Sequence, residues 1–292
     1  LAAHTDEVGF MITNDEKDGI FRFDIVGGLD ARQLVGKPVV VGRDQIPGVI
    51  GAKPIHLSTA SERKDSVSLD SMRIDVGAVG NDKIKPGDRA AFAPNFTQIG
   101  RGINRSLRAK AMDDRIGVTT LIELVKNSPP NIDLLAAFTV QEEVGLRGAK
   151  VAAYAFNPDV AIALDCTPAY DLPNWDEEEE NTRYNTWLGA GPAIYTVDWG
   201  TLSDPRLIRH FAETGDAGGI PYQFRQPGGG GTDAGAIHRS RAGIPSISIS
   251  VPGRYLHTAA SIVRLADWRN ALALVYTALS RLAPDVLGGE RK

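Results

Sequence analysis

The stretch RIGVTTLIELVKNSPPNIDLLAAFTVQEEVGLRGAKVAAYAFNPDVAIALDC, residues 115 to 166, decides the fold class of this 292-residue chain. It reads as a helix from about Arg115 to Lys126, a strand from Leu134 to Val140, a helix across Arg147 to Ala155 and a strand from Val160 to Leu164. The theme repeats downstream: strand-like Ala193 to Val197, a helix from Pro205 to Thr214, strand-like Tyr222 to Arg225, a helix from Thr232 to Arg239, a strand from Pro245 to Val251 and a long helix from Ala266 to Leu282. Strands alternating with helices predict an α/β fold with a mostly parallel central sheet and helices on both faces. In such sheets ligands collect at the carboxyl ends of the strands, so chemistry is to be sought there.

Upstream, from Phe10 to about Gly100, the character changes to short β-rich runs: Ile20 to Val26, Lys37 to Val41, Arg73 to Val76 and Arg89 to Phe92. Turn signals such as Gly27-Gly28, Pro47-Gly48 and Pro86-Gly87-Asp88 separate them, at the spacing of a small all-β barrel or sandwich inserted into the α/β domain. Two polar stretches, Ser61 to Ser71 and the acidic run Asp176 to Glu180, read as solvated loops. Leu1-Ala2-Ala3 reads as the end of a buried strand running into His4, so flanking residues are expected upstream of it.

Composition narrows the function classes. With 42% hydrophobic and 23% charged residues and no apolar run near the ~20 residues that cross a bilayer, the expectation is a soluble protein without a membrane partner. A net charge of −4 with scattered Lys and Arg leaves no footprint for nucleic acid. One cysteine, Cys166, excludes an intrachain disulfide and a multi-thiolate metal site, which fits a cytoplasmic location. A small, buried, apolar cysteine is expected.

Five places put a His, Asp or Glu at the end of a predicted strand or in a loop that could reach that edge: His4 with Asp6, Asp113 with Asp114, Glu142 with Glu143, Asp165, and His257. A carboxylate or imidazole at the end of an apolar strand pays desolvation there unless something compensates, and a divalent cation does so. Imidazole nitrogen and carboxylate oxygen are ligands for Zn and related ions without any thiolate. Adjacent carboxylates on an extended strand point to opposite sides, so Glu142 and Glu143 are expected to differ in task.

The stretches Ala3-His4-Thr5-Asp6-Glu7-Val8-Gly9, Lys110-Ala111-Met112-Asp113-Asp114-Arg115-Ile116-Gly117 and Gln141-Glu142-Glu143-Val144-Gly145 occur in that order, followed by Ala163-Leu164-Asp165-Cys166-Thr167-Pro168, Leu188-Gly189-Ala190-Gly191-Pro192-Ala193, Gly229-Gly230-Gly231-Thr232-Asp233-Ala234-Gly235-Ala236 and Arg254-Tyr255-Leu256-His257-Thr258. Together they resemble the tetrahedral or glutamyl-type aminopeptidases, co-catalytic dinuclear metallopeptidases whose members are sometimes labelled endoglucanase or cellulase. The resemblance covers nearly the whole chain. It implies a zinc-peptidase (phosphorylase/hydrolase-like) α/β domain over 1–10 and 101–292, further strand and helix units before His4, and a PDZ-like dimerisation domain over 11–100. It implies two divalent ions, Zn or Co with Mn as a third choice, bridged by Asp113, with His4 and Asp165 on one and Glu143 and His257 on the other. Glu142 becomes the general base, Asp6 orients a ligand, and Asp114 keeps a structural role at best. Gly228 to Gly231, lacking the Lys-Ser or Lys-Thr of a phosphate loop, becomes a tight active-site turn. The implied activity is removal of N-terminal residues from peptides, by a homo-oligomer that is at least a dimer and in relatives a tetrahedral dodecamer.

Two rivals remain at this point. A glycoside hydrolase would need two carboxyls ~5 to 9.5 Å apart and usually aromatic platforms, whereas aromatics make up 7% of this chain and the histidines would have no task. A non-catalytic assembly module would have no use for a full set of ligands.

Overall fold

The computed structural model describes residues 1–77, 81–172 and 186–288; the acidic run Asp176 to Glu180 lies outside the described residues. The chain opens on β1 (Ala2–His4) and continues through β2 (Gly9–Asp15), β3 (Ile20–Val26), β4 (Pro38–Val41), β5 (Ile46–Gly51), β6 (Arg73–Asp75) and β7 (Arg89–Phe92). Then come β8 (Thr97–Ile99), β9 (Ser106–Ala109), α1 (Met112–Lys126), β10 (Ala137–Thr139), α2 (Arg147–Phe156), β11 (Ala161–Pro168) and β12 (Ala193–Tyr195). It closes with α3 (Pro205–Gly218), β13 (Gln223–Arg225), α4 (Ala234–Ile237), β14 (Ser246–Arg254), β15 (Ser261–Arg264), α5 (Leu265–Ser280) and α6 (Asp285–Gly288). Contacts divide it into two units, one of Leu1–Asp6, Phe96–Leu256 and Ser261–Lys292, the other of Glu7–Asn95 and His257–Ala260.

In the first unit the strands run β10-β1-β11-β14-β15-β9-β8, with β12 joined to β14 and β13 to β12. The expected parallel sheet is real from β10 to β14, whose register sets Ala161, Ala163 and Asp165 beside Ser246, Ser248 and Ser250. Beyond β14 it turns antiparallel, so the sheet is mixed.

Strand alternation then assigns the two faces. Ile162, Leu164, Ile247 and Ile249 point one way and pack with Leu121 and Leu124 of α1, Leu207 and Phe211 of α3 and Leu274 of α5. Each is at most 3% exposed, which stabilises the fold by about 1.5–3 kcal/mol per side chain. The opposite face of β11 and β14 carries Ala161, Ala163, Asp165, Thr167, Ser246, Ser248 and Ser250, and Ala161 packs there with Ala149, Ala153 and Ile237 of α2 and α4. Small and polar side chains leave depth on this face, and Asp165 is the acid planted in it.

Helix ends follow their local signals. Asp204 caps α3 by accepting from Arg206 N–H, Pro205 takes the first turn, and Gly219 ends the helix at φ 59°. Among the described residues no helix is long and apolar enough to cross a membrane.

The second unit is a closed barrel in the order β2-β3-β6-β5-β4-β7, which settles barrel against sandwich. Alternation again does the sorting, with Phe10, Ile12, Phe21, Phe23, Val39, Val41, Ile50, Ile74 and Phe92 inside. Phe10 meets the Phe23 and Phe92 rings edge-on at 5.3 Å each.

Candidate metal centre

His4 ends β1, between β10 and β11, paired with Thr139. Its imidazole is 2% exposed. Nε2 lies 3.1 Å from Asp113 Oδ1, 3.9 Å from Asp165 Oδ1 and 4.0 Å from Glu142 Oε2. Nδ1 faces Asp6, 3.2 Å from its carbonyl oxygen and 3.6 Å from Oδ1. Two groups of potential ligand atoms, His4 with Asp113 and Glu143, and His4 with Glu142 and Asp165, each fall within 4.8 Å of one another.

Asp113 and Asp114 begin α1 with non-helical backbone angles and a cis peptide between them. Their carboxyls separate: Asp113 meets the His4 ring, whereas Asp114, fully buried, accepts the His4 backbone N–H at 3.1 Å and the Gly117 N–H at 3.0 Å. Asp114 thus staples the end of β1 to the first turn of α1. Gly117 is glycine because a Cβ there would sit 2.4 and 2.5 Å from the two Asp114 oxygens and 2.7 Å from Leu164 O.

Glu142 and Glu143 differ from expectation. They are not on an extended strand, since β10 stops at Thr139. They sit in a turn that opens at Gln141 (φ 61°) and closes where Gly145 and Leu146 donate to Glu142 O. Asp6 holds that turn, its two oxygens accepting the Glu142 and Glu143 N–H at 3.2 and 3.3 Å. Both carboxylates approach the His4 imidazole, Glu143 with Asp113 and Glu142 with Asp165, which a turn allows and strand alternation would not.

Asp165 lies inside β11, which runs on to Pro168 instead of ending at Leu164. Cys166 is buried as expected and donates its thiol to Met112 O at 3.2 Å. His257 falls in the second unit, where Nδ1 is 2.7 Å from Gly28 O.

The electrostatics follow from burial of many acids around one base. Burial works against a charged His4, but the Asp113 and Asp6 carboxylates beside it and the charges of Asp165 and Asp114 hold its pKa far above the usual imidazole range. Burial pushes the Asp165 carboxyl well up, and neighbouring Asp113 and Asp114 push it further. Asp114 is raised for the same first reason. Glu142 reaches about 8, through burial and the charges of Asp233, Glu143 and Asp113, with His4 opposing. Asp6 goes the other way: burial raises it, but His4 and the two backbone N–H groups outweigh that and lower it.

One imidazole does not balance Asp113, Asp114, Glu142, Glu143 and Asp165. Divalent cations would, and nitrogen with carboxylate oxygen is the donor set that Zn, Co and Mn accept. The residues present therefore fit a metal centre.

The structure adds Asp233, to which no role was assigned from sequence. It precedes α4, is 2% exposed, accepts the Thr139 hydroxyl at 2.5 Å and adds its charge to Glu142. Thr139 O in turn accepts both the N–H and the hydroxyl of Thr5, next to His4. A Thr-Asp pair ahead of a short helix reads as a cap, which hides it in the sequence. Gly228 to Gly231 is a loop with Gly230 at φ 84°.

Comparison with known proteins agrees with this geometry. The family model for M42 glutamyl aminopeptidase matches residues 1–274. The glutamyl aminopeptidase of Lactococcus lactis subsp. cremoris is 32% identical over 295 residues, covering 97% of this chain and 80% of the relative. A crystal structure of a TET aminopeptidase from the marine sediment archaeon Thaumarchaeota archaeon SCGC AB-539-E09 superposes with a TM-score of 0.89 at 35% identity, over 99% of this chain and 82% of that one. The Pyrococcus horikoshii TET1 peptidase, described as able to assemble into a tetrahedron or a large octahedral shell, matches with a TM-score of 0.78 at 33% identity, over 96% of this chain and 83% of that one. With its fold, its buried cluster and its sequence all pointing the same way, the chain belongs to the M42 glutamyl aminopeptidase family.

Proposed function

We propose that this protein is a cytoplasmic dinuclear metallo-aminopeptidase that hydrolyses the N-terminal residue from peptides. The observation that carries the reading is the convergence of Asp113, Glu142, Glu143 and Asp165 on the one imidazole of His4. His4, Asp113, Glu143, Asp165 and His257 would hold two divalent ions, Zn or Co first and Mn next. When bound, such ions lower the pKa of a water toward ~7 and polarise the scissile carbonyl.

The protein's own part centres on Glu142. Its carboxyl would take the proton of the attacking water and return it to the departing amine, a service typically worth ~10²- to 10⁴-fold. Asp6 fixes where Glu142 and Glu143 stand by binding both backbone N–H groups, and orients His4 from its Nδ1 side. Asp114 and Gly117 hold the end of β1 against α1. The free α-amine of a peptide would bind near the second ion and the carboxylates beside it, which would make the activity an exopeptidase.

Residues 1–10 and 101–292 form the catalytic domain in this reading, and 11–100 the dimerisation domain. The TET1 relative, described as able to assemble into a tetrahedron or a large octahedral shell, supports a homo-oligomer that is at least a dimer.

The test is release of p-nitroaniline from amino-acid p-nitroanilides after chelation and after re-addition of Zn or Co, with Glu142→Gln alongside. Metal-dependent cleavage that falls ~10²-fold or more in the variant, at unchanged metal content, is expected. Cleavage indifferent to chelation refutes the reading.

A further inference from the structure

Gly228 to Gly231 calls for a reason beyond turning the chain. Of the last three, only Gly230 has a positive φ, 84°, that favours glycine. A Cβ on Gly229, Gly230 or Gly231 would meet nothing within 4 Å. Neither packing nor, at two of the three positions, backbone conformation asks for glycine. What remains is room for something to approach the backbone closely.

The loop is nevertheless held firmly, and from one side. Gly229 O accepts from Arg225 Nη2 at 2.6 Å, and Gly230 O accepts from Trp199 N–H at 3.1 Å. These peptides are trans, so each C=O and the N–H that follows it point opposite ways. Anchoring the carbonyls of Gly229 and Gly230 turns the N–H groups of Gly230 and Gly231 outward. Both residues are exposed, and neither N–H donates to a described residue. The loop therefore offers two consecutive donors to whatever lies above it.

Its anchors lead to the metal centre. Arg225 is 2% exposed and has no carboxylate partner among the described residues; Nε donates to Thr167 Oγ1 at 3.1 Å, and the guanidinium lies 4.5 Å over the Tyr195 ring. Thr167 is on the same face of β11 as Asp165, two residues on, roughly 7 Å away. The other end of the loop runs through Thr232 into Asp233, whose charge reaches Glu142. Beside the loop stands a short hairpin closed by a bridge between Val197 and Leu202. It displays Trp199 at 89% exposure and Leu202 at 75%, a large apolar area with no role in the core.

From these observations we infer that the Gly228 to Gly231 loop and the Trp199 hairpin form the subsite for the part of a peptide substrate that follows the scissile bond. The outward N–H groups of Gly230 and Gly231 bind main-chain carbonyls of the extended peptide, and Trp199 packs against its next side chains or backbone. Extended peptides are commonly gripped in this manner, with main-chain hydrogen bonds for affinity and an apolar contact alongside. The inference rests on the aminopeptidase reading and adds where the leaving peptide lies.

The experiment compares kcat/KM for X-Gly-Gly-Gly with that for X-p-nitroanilide, where X is the N-terminal residue the parent cleaves best. The variants are Trp199→Ala, an exposed position whose change spares the core, and Gly231→Ala, which has open space for the methyl. In each the tetrapeptide-to-anilide ratio falls at least tenfold, mainly through KM of the tetrapeptide. Ratios within threefold of the parent in both variants overturn the inference. So does an unchanged ratio with a lower sedimentation mass for Trp199→Ala, which assigns that hairpin to subunit contact. A parent protein that cleaves neither substrate removes the aminopeptidase reading, and this subsite with it.

Discussion

Gly117→Ala sets two effects of opposite sign against each other. Gly117 is inside α1, and in an isolated helix Ala is better than Gly by about 1 kcal/mol. Here the added Cβ would lie 2.4 and 2.5 Å from the Asp114 oxygens and 2.7 Å from Leu164 O. The carboxylate could swing, but it would leave the N–H groups of His4 and Gly117; hydrogen bonds to a charged group are worth about 1.5–3 kcal/mol. Leu164 O belongs to β11, next to Asp165, and overpacking of that kind costs about 1–3 kcal/mol. Summed with the propensity gain, the variant should lose about 1.5–5 kcal/mol. At ~2–4 °C per kcal/mol for a unit of this size, Tm drops by at least ~3 °C. Tryptophan fluorescence during urea or thermal unfolding reads this selectively, because no Trp occurs between residues 7 and 95 and Trp268 bonds Thr120 of the same helix. A variant as stable as the parent, or more so, would show that propensity wins and that the Asp114 staple is loose.

Asp267, fully buried near the start of α5, accepts the Gly189 and Gly191 N–H at 2.7 and 3.0 Å; Asp267→Ala strands both donors and should cost about 2–5 kcal/mol, against roughly half that for Asp267→Asn, measured by urea unfolding. Equal losses in the two variants would sink that assignment. Asp171 is held below the usual carboxylate range: burial opposes this, but the Arg254 guanidinium at 2.7 and 2.8 Å and the Leu188 N–H prevail. A lowered folded pKa means stability present above the unfolded value, about 3.9, and lost as pH falls through the folded one. Arg254→Met should therefore be less stable at pH 7, with the gap in Tm closing below about pH 4; a gap constant from pH 7 to 3 contradicts the pairing. Chelation followed by Zn addition should raise Tm with ligand concentration, as binding to the folded state alone requires, and His4→Ala should abolish most of that rise. A full rise in the variant would remove His4 from the ligand set.

Much of this protein could be read before it was folded. The alternation of apolar strands and helices from Arg115 onward determines the α/β layers, because period 2 and period 3.6 are local properties of the chain. The short runs and turns before Gly100 determine a small β unit for the same reason. The motifs holding His4, Asp113, Glu142, Glu143 and Asp165 stand out because few residue types suit cations and because their order resembles one family, although only His4 proves to end a strand.

Tertiary structure decided what depends on distance between remote segments. Barrel rather than sandwich rests on β2 meeting β7, a pairing no local pattern encodes. The antiparallel half of the sheet, added by β15, β9 and β8, is likewise a matter of which edges meet. That Glu142 and Glu143 sit in a turn that brings both to His4, with Glu142 N–H held by a carboxylate 136 positions away in sequence, could not be seen from their own neighbourhood. Asp233 and Asp114 gain meaning only from partners such as Thr139, His4 and Gly117, since a carboxylate's role is set by what surrounds it when buried, and burial is a property of the folded chain.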